Sequence, residues 1–396
     1  MIEISKALRI IERETPKLGV ERVDLVASIA RVLAENIVAD TDLPPFDRSQ
    51  MDGYAVVTND TKNAPVDLRV VGESAAGHGW HKKMKRGEAV RIMTGAPVPK
   101  GADAVQQVEL TSGWNGEIVT IREAVKKGTA IVERGAEVKR GTTIFRVGDL
   151  ITRNMISALA SFGYDQVTVT KQPTISVMST GSEIVPIEQK PGRDQIRNSN
   201  SVMLDVLCRR LGCPTKVLDS PADDIKELKS QISNCRSHVL IITGGVSAGK
   251  YDLTKAALVE LGAEIFFEKV KLKPGKPAVF ARLGEMLVFG LPGNPVSAAV
   301  TFELFVRKAI MMIQGASETD LRRGKAVLAA NARAPRDRDA YVPSALSTGK
   351  NGELIAIPLK SQGSSDFIGF SRADSLIVLK RGTKKGKGEV ADILFL

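Results

Sequence analysis

The chain has 396 residues, 43% of them hydrophobic and 26% charged, and a formal charge of +11. That length supports several buried cores, and no stretch approaches the roughly 20 apolar residues of a membrane span. The Lys/Arg excess invites a nucleic-acid reading, but only 5% of the chain is aromatic and the basic runs Lys82 to Arg86 and Lys380 to Lys387 lie in Gly-containing polar segments, so they read as solvated loops without a stacking platform.

Cys208, Cys213 and Cys235 are too few and too irregularly spaced for a disulfide framework or a zinc site, and His78, His81 and His238 offer little for a His-ligated metal. The opening MIEISKALRIIERE alternates charge with apolar residues and has no secretory apolar block, so a cytoplasmic location is expected.

In chain order, Ile4, Ala7, Leu8 and Ile11 share one face of a predicted helix, and Val26, Ile29, Ala30 and Leu33 one face of a second. Between Pro44 and Val56 the residues Pro44, Pro45, Asp47, Ser49, Asp52 and Gly53 break any period, which predicts a loop leading into a strand. From local chemistry alone, Asp52 beside Gly53 reads as an Asx-turn. Short alternating runs between Thr58 and Lys139, punctuated by Gly and Pro, predict a small β-rich domain. Its most unusual turn is Thr94, Gly95 and Ala96, where a hydroxyl and free N–H groups beside Pro97 and Pro99 suit an anion or a sugar hydroxyl; the plainer reading is a rigid turn. Met155, Ile156 and Leu159 define a helix stopped at Gly163, expected to join the early helices in an elongated module.

Strands and helices then alternate from Thr174 to Gly315, which predicts a doubly wound parallel sheet. Between Val239 and Ala299 three Gly-rich turns each follow a short apolar run, the place where open α/β sheets bind ligands. The first holds Gly244, Gly245 and Ser247 and ends at Asp252, which also suits a helix N-cap. In the second, Lys273, Pro274, Gly275, Lys276 and Pro277 hold two ammonium groups on a stiff loop, an arrangement that asks for an anion. The third places Gly293, Asn294 and Pro295 at the start of a helix. Glu183 and Asp219 follow other predicted strands, so Glu183, Asp219 and Asp252 are expected along one sheet edge. Three carboxylates would repel the anion that two lysines attract, unless a divalent cation such as Mg²⁺ bridges carboxylates and phosphate. Helix capping is the alternative for each of them. After Gly315 short strand-like runs suggest a small β-barrel or sandwich.

The segments PPFDRSQMDGYAV, RIMTGAPVPKGADAV, STGSEI, GGVSAGKYD, KPGKP and GLPGNPVSA, in this order and across most of the chain, resemble the molybdenum-insertion proteins of molybdenum-cofactor biosynthesis, the molybdopterin molybdenumtransferases, also found as the second catalytic domain of gephyrin. The resemblance implies a multidomain α/β protein: a helical elongated module (1–43 and 140–172), a β-rich domain (44–139), an α/β molybdopterin-binding domain (173–316) and a C-terminal β-barrel (317–396). It implies an Mg²⁺-dependent reaction in which adenylylated molybdopterin and molybdate give molybdenum cofactor and AMP. Asp52, Thr94, Glu183, Asp219, Asp252, Lys273 and Lys276 would then be catalytic, with the metal held by some of Glu183, Asp219 and Asp252. Gly244, Gly245, Ser247, Gly293, Asn294, Pro295, Arg338 and Ser364 would bind substrate, while Pro343 stands where many members carry a second Arg. It also implies a homodimer whose Asp52 and Thr94 serve the partner's cleft, supplied by an upstream molybdopterin adenylyltransferase, with no nucleic-acid or membrane partner. Two other readings stay open: a nucleotide-pyrophosphate hydrolase sharing only the α/β domain, and a non-catalytic scaffold that binds molybdopterin.

Overall fold

The apolar runs between residues 175 and 291 form one six-stranded sheet. Its strands are β1 (Ile175–Ser179), β2 (Thr215–Val217), β3 (Val239–Thr243), β4 (Glu264–Lys269), β5 (Pro277–Leu283) and β6 (Met286–Leu291), in the order β2-β1-β3-β6-β5-β4. This computed structural model describes residues 1–219, 224–245, 253–359 and 366–396. Two units divide it: Met1–Glu35 with Val147–Ile156 and Gln166–Leu396, and Asn36–Arg146 with Ser157–Asp165.

β2, β1, β3 and β6 are parallel, as the alternation of strands and helices predicts. β5 departs from that expectation, because it is antiparallel to both of its neighbours. Leu283 pairs with Met286 across a two-residue turn in which Gly284 has φ +58°, a connection far too short for a crossover. Two reversals return β4 to the direction of β6, so the chain leaves β4 at the same sheet edge where the parallel strands end.

Every residue of β1, β3 and β6 is buried, because helices cover both faces. One face packs Val177, Ile241, Phe280 and Phe289 against Leu204 and Cys208 of α2 (Ser199–Arg210). The same core receives Ile4, Ala7 and Ile11 of α1 (Ile4–Glu14). The other face packs Met178, Leu240 and Ile242 against Leu228 and Ile232 of α3 (Ile225–Asn234) and Ala257 and Leu258 of α4 (Leu253–Glu260). α5 (Pro295–Thr301) runs through a π-helical turn, Phe302–Val306, into α6 (Arg307–Ile313), and these turns fill the first core.

The helix expected over Val26 to Leu33 does not form. Only Leu25–Ser28 winds, as a 3₁₀ turn; Val26 is 80% exposed and Ala30 has φ +63°. The N–H groups that a helix would pair locally donate elsewhere, Ala30 to Ile151 O, Leu33 to Asp149 O and Ala34 to Thr168 O. Long-range pairing satisfies the backbone there, and the apolar spacing loses its meaning.

The C-terminal strands β7 (Arg323–Leu328), β8 (Asp339–Thr348), β9 (Leu354–Pro358), β10 (Ser375–Leu379) and β11 (Val390–Phe395) close into a barrel, because β8 pairs with both β9 and β10. Leu328, Ala340, Ala356, Ile377 and Ile393 fill it. The two-residue strand Leu272–Lys273 adds to its edge, parallel to Asp339 and Ala340 of β8. In the smaller unit five strands form one sheet, in the order Ala104–Gln107, Gly53–Val56, Glu88–Ile92, Val66–Ser74, Ile118–Ile121. Gly53 is obligatory there, since a Cβ would sit 2.0 Å from Gln106 O. Among the described residues no helix is long and apolar enough to cross a membrane.

Candidate functional site

Ser179, Thr243 and Leu291 end β1, β3 and β6 in register. The turns that follow line a cleft of about 1080 Å³ holding Thr180, Glu183, Gly244, Gly245, Gly293, Asn294 and Pro295. Gly244 and Gly245 have φ +92° and +59°, and their Cβ positions lie 2.4 Å from Thr180 O and 2.9 Å from Thr180 Oγ1, so only glycine lets this floor approach so closely. A network fixes the polar wall: Asn200 Nδ2 donates to Thr243 Oγ1 (3.0 Å) and Gly293 O (2.7 Å), and Thr243 Oγ1 donates to Pro292 O (3.0 Å). Thr180 Oγ1, on a residue only 8% exposed, and Asn200 Oδ1 are buried without a hydrogen-bond partner among the described residues. Buried polar atoms left unpaired cost about 1–3 kcal/mol each, a cost that a bound ligand can remove.

The lysine loop borders an adjoining cavity of about 790 Å³, which shares Pro277, Pro292 and Asn294 with the first. Lys273, Lys276, Arg333, Arg338, Tyr341 and Pro343 line it. The loop is held rigidly, by pairing with β8, by a 3.0 Å bond from Val270 N–H to Lys276 O, and by Gly275 at φ +111°, where a Cβ would meet Thr301 Cγ2 at 2.5 Å. Upstream, Lys271 is committed to Glu3 at 2.6 Å. Lys273 and Lys276 are exposed and make no ion pair among the described residues, whereas Arg338 Nε lies 3.0 Å from Asp337. Two ammonium groups on a stiff loop, without an ion-pair partner among the described residues, are chemistry that suits an anion.

In the smaller unit Asp52 Oδ1 accepts hydrogen bonds from Thr94 N–H and from Thr94 Oγ1, both at 2.7 Å. These donors hold the carboxyl below its usual pKa, so Asp52 is a carboxylate well into the acid range. It lines a shallow concavity with Glu73, Arg91, Met93 and Trp114.

The sequence-derived residues thus fall into three groups. Glu183, Gly244, Gly245, Gly293, Asn294 and Pro295 line the first cavity, Lys273, Lys276 and Arg338 with Asn294 line the second, and Asp52 is bonded to Thr94. Asp219 follows β2 at the exposed margin of the sheet and lines neither cavity. Ser247, Asp252 and Ser364 lie outside the described residues. Sequence reasoning reached Thr180 only as part of the STGSEI turn and missed Asn198, Asn200 and Thr243, although the polar run Asn198, Ser199, Asn200, Ser201 at the start of α2 was their visible sign. Among the described residues no group of three metal-binding side chains is present. Glu183 is the carboxylate they bring to the first cavity. One or two carboxylates, completed by substrate phosphate and water, is a donor set that fits Mg²⁺.

Three family profiles match in sequence order: the MoeA N-terminal region (domain I and II) at residues 2–163, a probable molybdopterin binding domain at 176–312, and the MoeA C-terminal region (domain IV) at 325–396. The chain is 33% identical to a molybdopterin molybdenumtransferase of Bacillus subtilis over 97% of its own length and 91% of that protein's, and 31% identical to one of Staphylococcus aureus over 99% and 95%. A crystal structure of the molybdopterin biosynthesis moeA protein from Pyrococcus horikoshii superposes with a TM-score of 0.85 at 27% identity, covering both chains completely. The agreement runs from the sheet that carries Asp52 and Thr94, through the α/β cleft, to the barrel, and the chain belongs to the molybdopterin molybdenumtransferase family.

Proposed function

We propose that the chain transfers molybdenum from molybdate to adenylylated molybdopterin, with molybdenum cofactor and AMP as products. The observation that carries this reading is a pair of adjoining cavities, one with a carboxylate and with buried polar atoms that lack a partner among the described residues, the other with two lysines that make no ion pair among them. The substrate's own dithiolene captures the metal and water attacks the pyrophosphate link to free AMP, so no protein nucleophile is required. What the protein must supply is a place where two mutually repelling anions are held together. Lys273 and Lys276 neutralise phosphate or molybdate, and Thr180 and Asn200 orient the neighbouring groups by hydrogen bonds. Glu183, with Asp252 as a further candidate, would hold Mg²⁺, which when bound would polarise the pyrophosphate link; Asp219, which lines neither cavity, is the weaker candidate.

The match of residues 2–163 to the family's N-terminal region favours this reading over a hydrolase that shares only the α/β domain. A scaffold that binds molybdopterin without turnover is separated by assay. The purified protein is incubated with adenylylated molybdopterin, Mg²⁺ and either molybdate or tungstate, and AMP and inserted metal are followed. AMP release is expected to need the divalent cation and to rise with molybdate. Unchanged rates in excess chelator would remove the metal from the reaction, and no AMP from a folded, pterin-binding protein would leave the scaffold. The expected setting is the cytoplasm, downstream of an adenylyltransferase that makes the substrate.

Asp52 and Thr94 complete the site, in our reading, within a C₂ homodimer in which each serves the partner's cleft. Mixing inactive Asp52→Ala and Lys276→Ala chains under conditions of subunit exchange tests this. Heterodimers should recover one good site in two, because both lesions then fall in the same cleft. Full exchange without recovery would show that each chain builds its own site.

A further inference from the structure

The basic run Lys380 to Lys387 reads in sequence as a solvated loop, and the fold gives it a different setting. Lys384 and Lys385 pair antiparallel with Arg333 and Ala332, Arg333 directly opposite Lys384. Further bonds stiffen the ribbon: Ala334 N–H to Thr383 O (2.9 Å), Gly382 N–H to Pro335 O (2.7 Å) and Lys387 N–H to Asn331 Oδ1 (2.8 Å). Asn331 and Arg333 line the lysine cavity, so the ribbon forms its outer rim.

Nearby cations divide sharply. Arg338, Lys380 and Arg381 have carboxylate partners in Asp337, Asp339 and Glu3. Arg333, Arg336, Lys384 and Lys387 make no ion pair among the described residues, and Arg333, Arg336 and Lys384 are exposed. Like charges directly opposite on paired strands are destabilising, so the Arg333 and Lys384 pair is not explained by the fold. With Lys273 and Lys276 further in, positive groups that make no ion pair among the described residues lead from the ribbon into the cavity, where Asp366 is a carboxylate of the lining.

We propose that this ribbon is an electrostatic capture surface, which draws the polyanionic substrate to the cavity mouth and hands it to Lys273 and Lys276, with Arg333 as its inner contact. The inference rests on the functional reading above for the identity of the substrate, an adenylylated pterin phosphate. A stripe of one sign beside a low-dielectric cleft raises the local concentration of an oppositely charged ligand, and salt suppresses the effect as the Debye length falls from about 30 Å at 0.01 M to about 10 Å at 0.1 M.

The test compares wild type with the Arg333→Gln/Lys384→Gln variant across ionic strength. At about 0.01 M salt the variant is expected to show KM raised about tenfold with kcat within about twofold, and above about 0.3 M the two proteins should converge. Its melting temperature should be unchanged or higher, because a repulsive pair has been removed; if the double variant folds poorly, Lys384→Gln alone is used. An unchanged KM at low salt, or a deficit equally large at all salt concentrations, would overturn the proposal. Should wild type release no AMP, the functional reading fails by itself, and calorimetry with inorganic pyrophosphate decides the present one: tighter binding by wild type at low salt supports it, and equal affinities sink it.

Discussion

Replacing Lys273 and Lys276 together by Ala is expected to lower AMP release from adenylylated molybdopterin by about three orders of magnitude while leaving the fold intact. Removing one preorganised charge from developing negative charge typically costs about 3–4 kcal/mol, and each 1.36 kcal/mol is about a factor of ten in rate. Both lysines ride on one loop and, in the proposed reaction, act on one ligand, so the double loss should fall short of the product of the two single losses. Both are exposed and unpaired among the described residues, so the stability change should stay within about 0.5 kcal/mol. Single-turnover kinetics beside a thermal melt make the comparison. A loss of less than about tenfold in a folded protein would move the anion site elsewhere.

Gly244→Ala is the second large effect. The new Cβ would sit 2.4 Å from Thr180 O at a residue with φ +92°, so the backbone of the cleft floor has to move. Left-handed conformation alone costs an L-residue about 1–2 kcal/mol, and the clash adds to it. Gly262→Ala separates the two contributions, because Gly262 also has positive φ, +78°, but nothing lies within 4 Å of its Cβ position. Gly262→Ala should lose about 1 kcal/mol of stability and keep its activity. Gly244→Ala should lose more stability and, with Thr180 displaced, at least about a hundredfold in rate. Equal activities in the two variants would show that the floor tolerates the shift.

What the sequence reveals depends on how local the cause is. The turns after β1, β3 and β6 were legible, because short β-branched runs ended by Gly or Pro have few other readings. The antiparallel β5 was not, since the two-residue connection at Gly284 and Glu285 gives a weak local signal against the strong helix and strand alternation around it. Val26, Ile29, Ala30 and Leu33 kept helical spacing without forming a helix, because their backbone partners are Asp149, Ile151 and Thr168, far away in the chain. Thr180 and Asn200 show the same limit within the site: their Oγ1 and Oδ1 atoms are buried without a partner among the described residues, which no spacing encodes. Arg333 opposite Lys384 is a fact of register, reached only after the barrel has closed.

Pairing of Leu272–Lys273 with Asp339 and Ala340 makes the lysine loop part of the barrel as much as of the α/β domain. Asp339 N–H donates to Lys271 O and Lys271 N–H to Ile2 O, so the same few residues tie together the segment around Ile2, the lysine loop and the C-terminal barrel. Partial opening of the barrel therefore cannot leave the cleft as it was, because it frees one side of the loop that carries Lys273. The barrel's own opening equilibrium sets how long the two ammonium groups keep their spacing. The barrel thus acts on the lysine loop as a clamp, besides lining its cavity with Arg333, Arg338 and Tyr341.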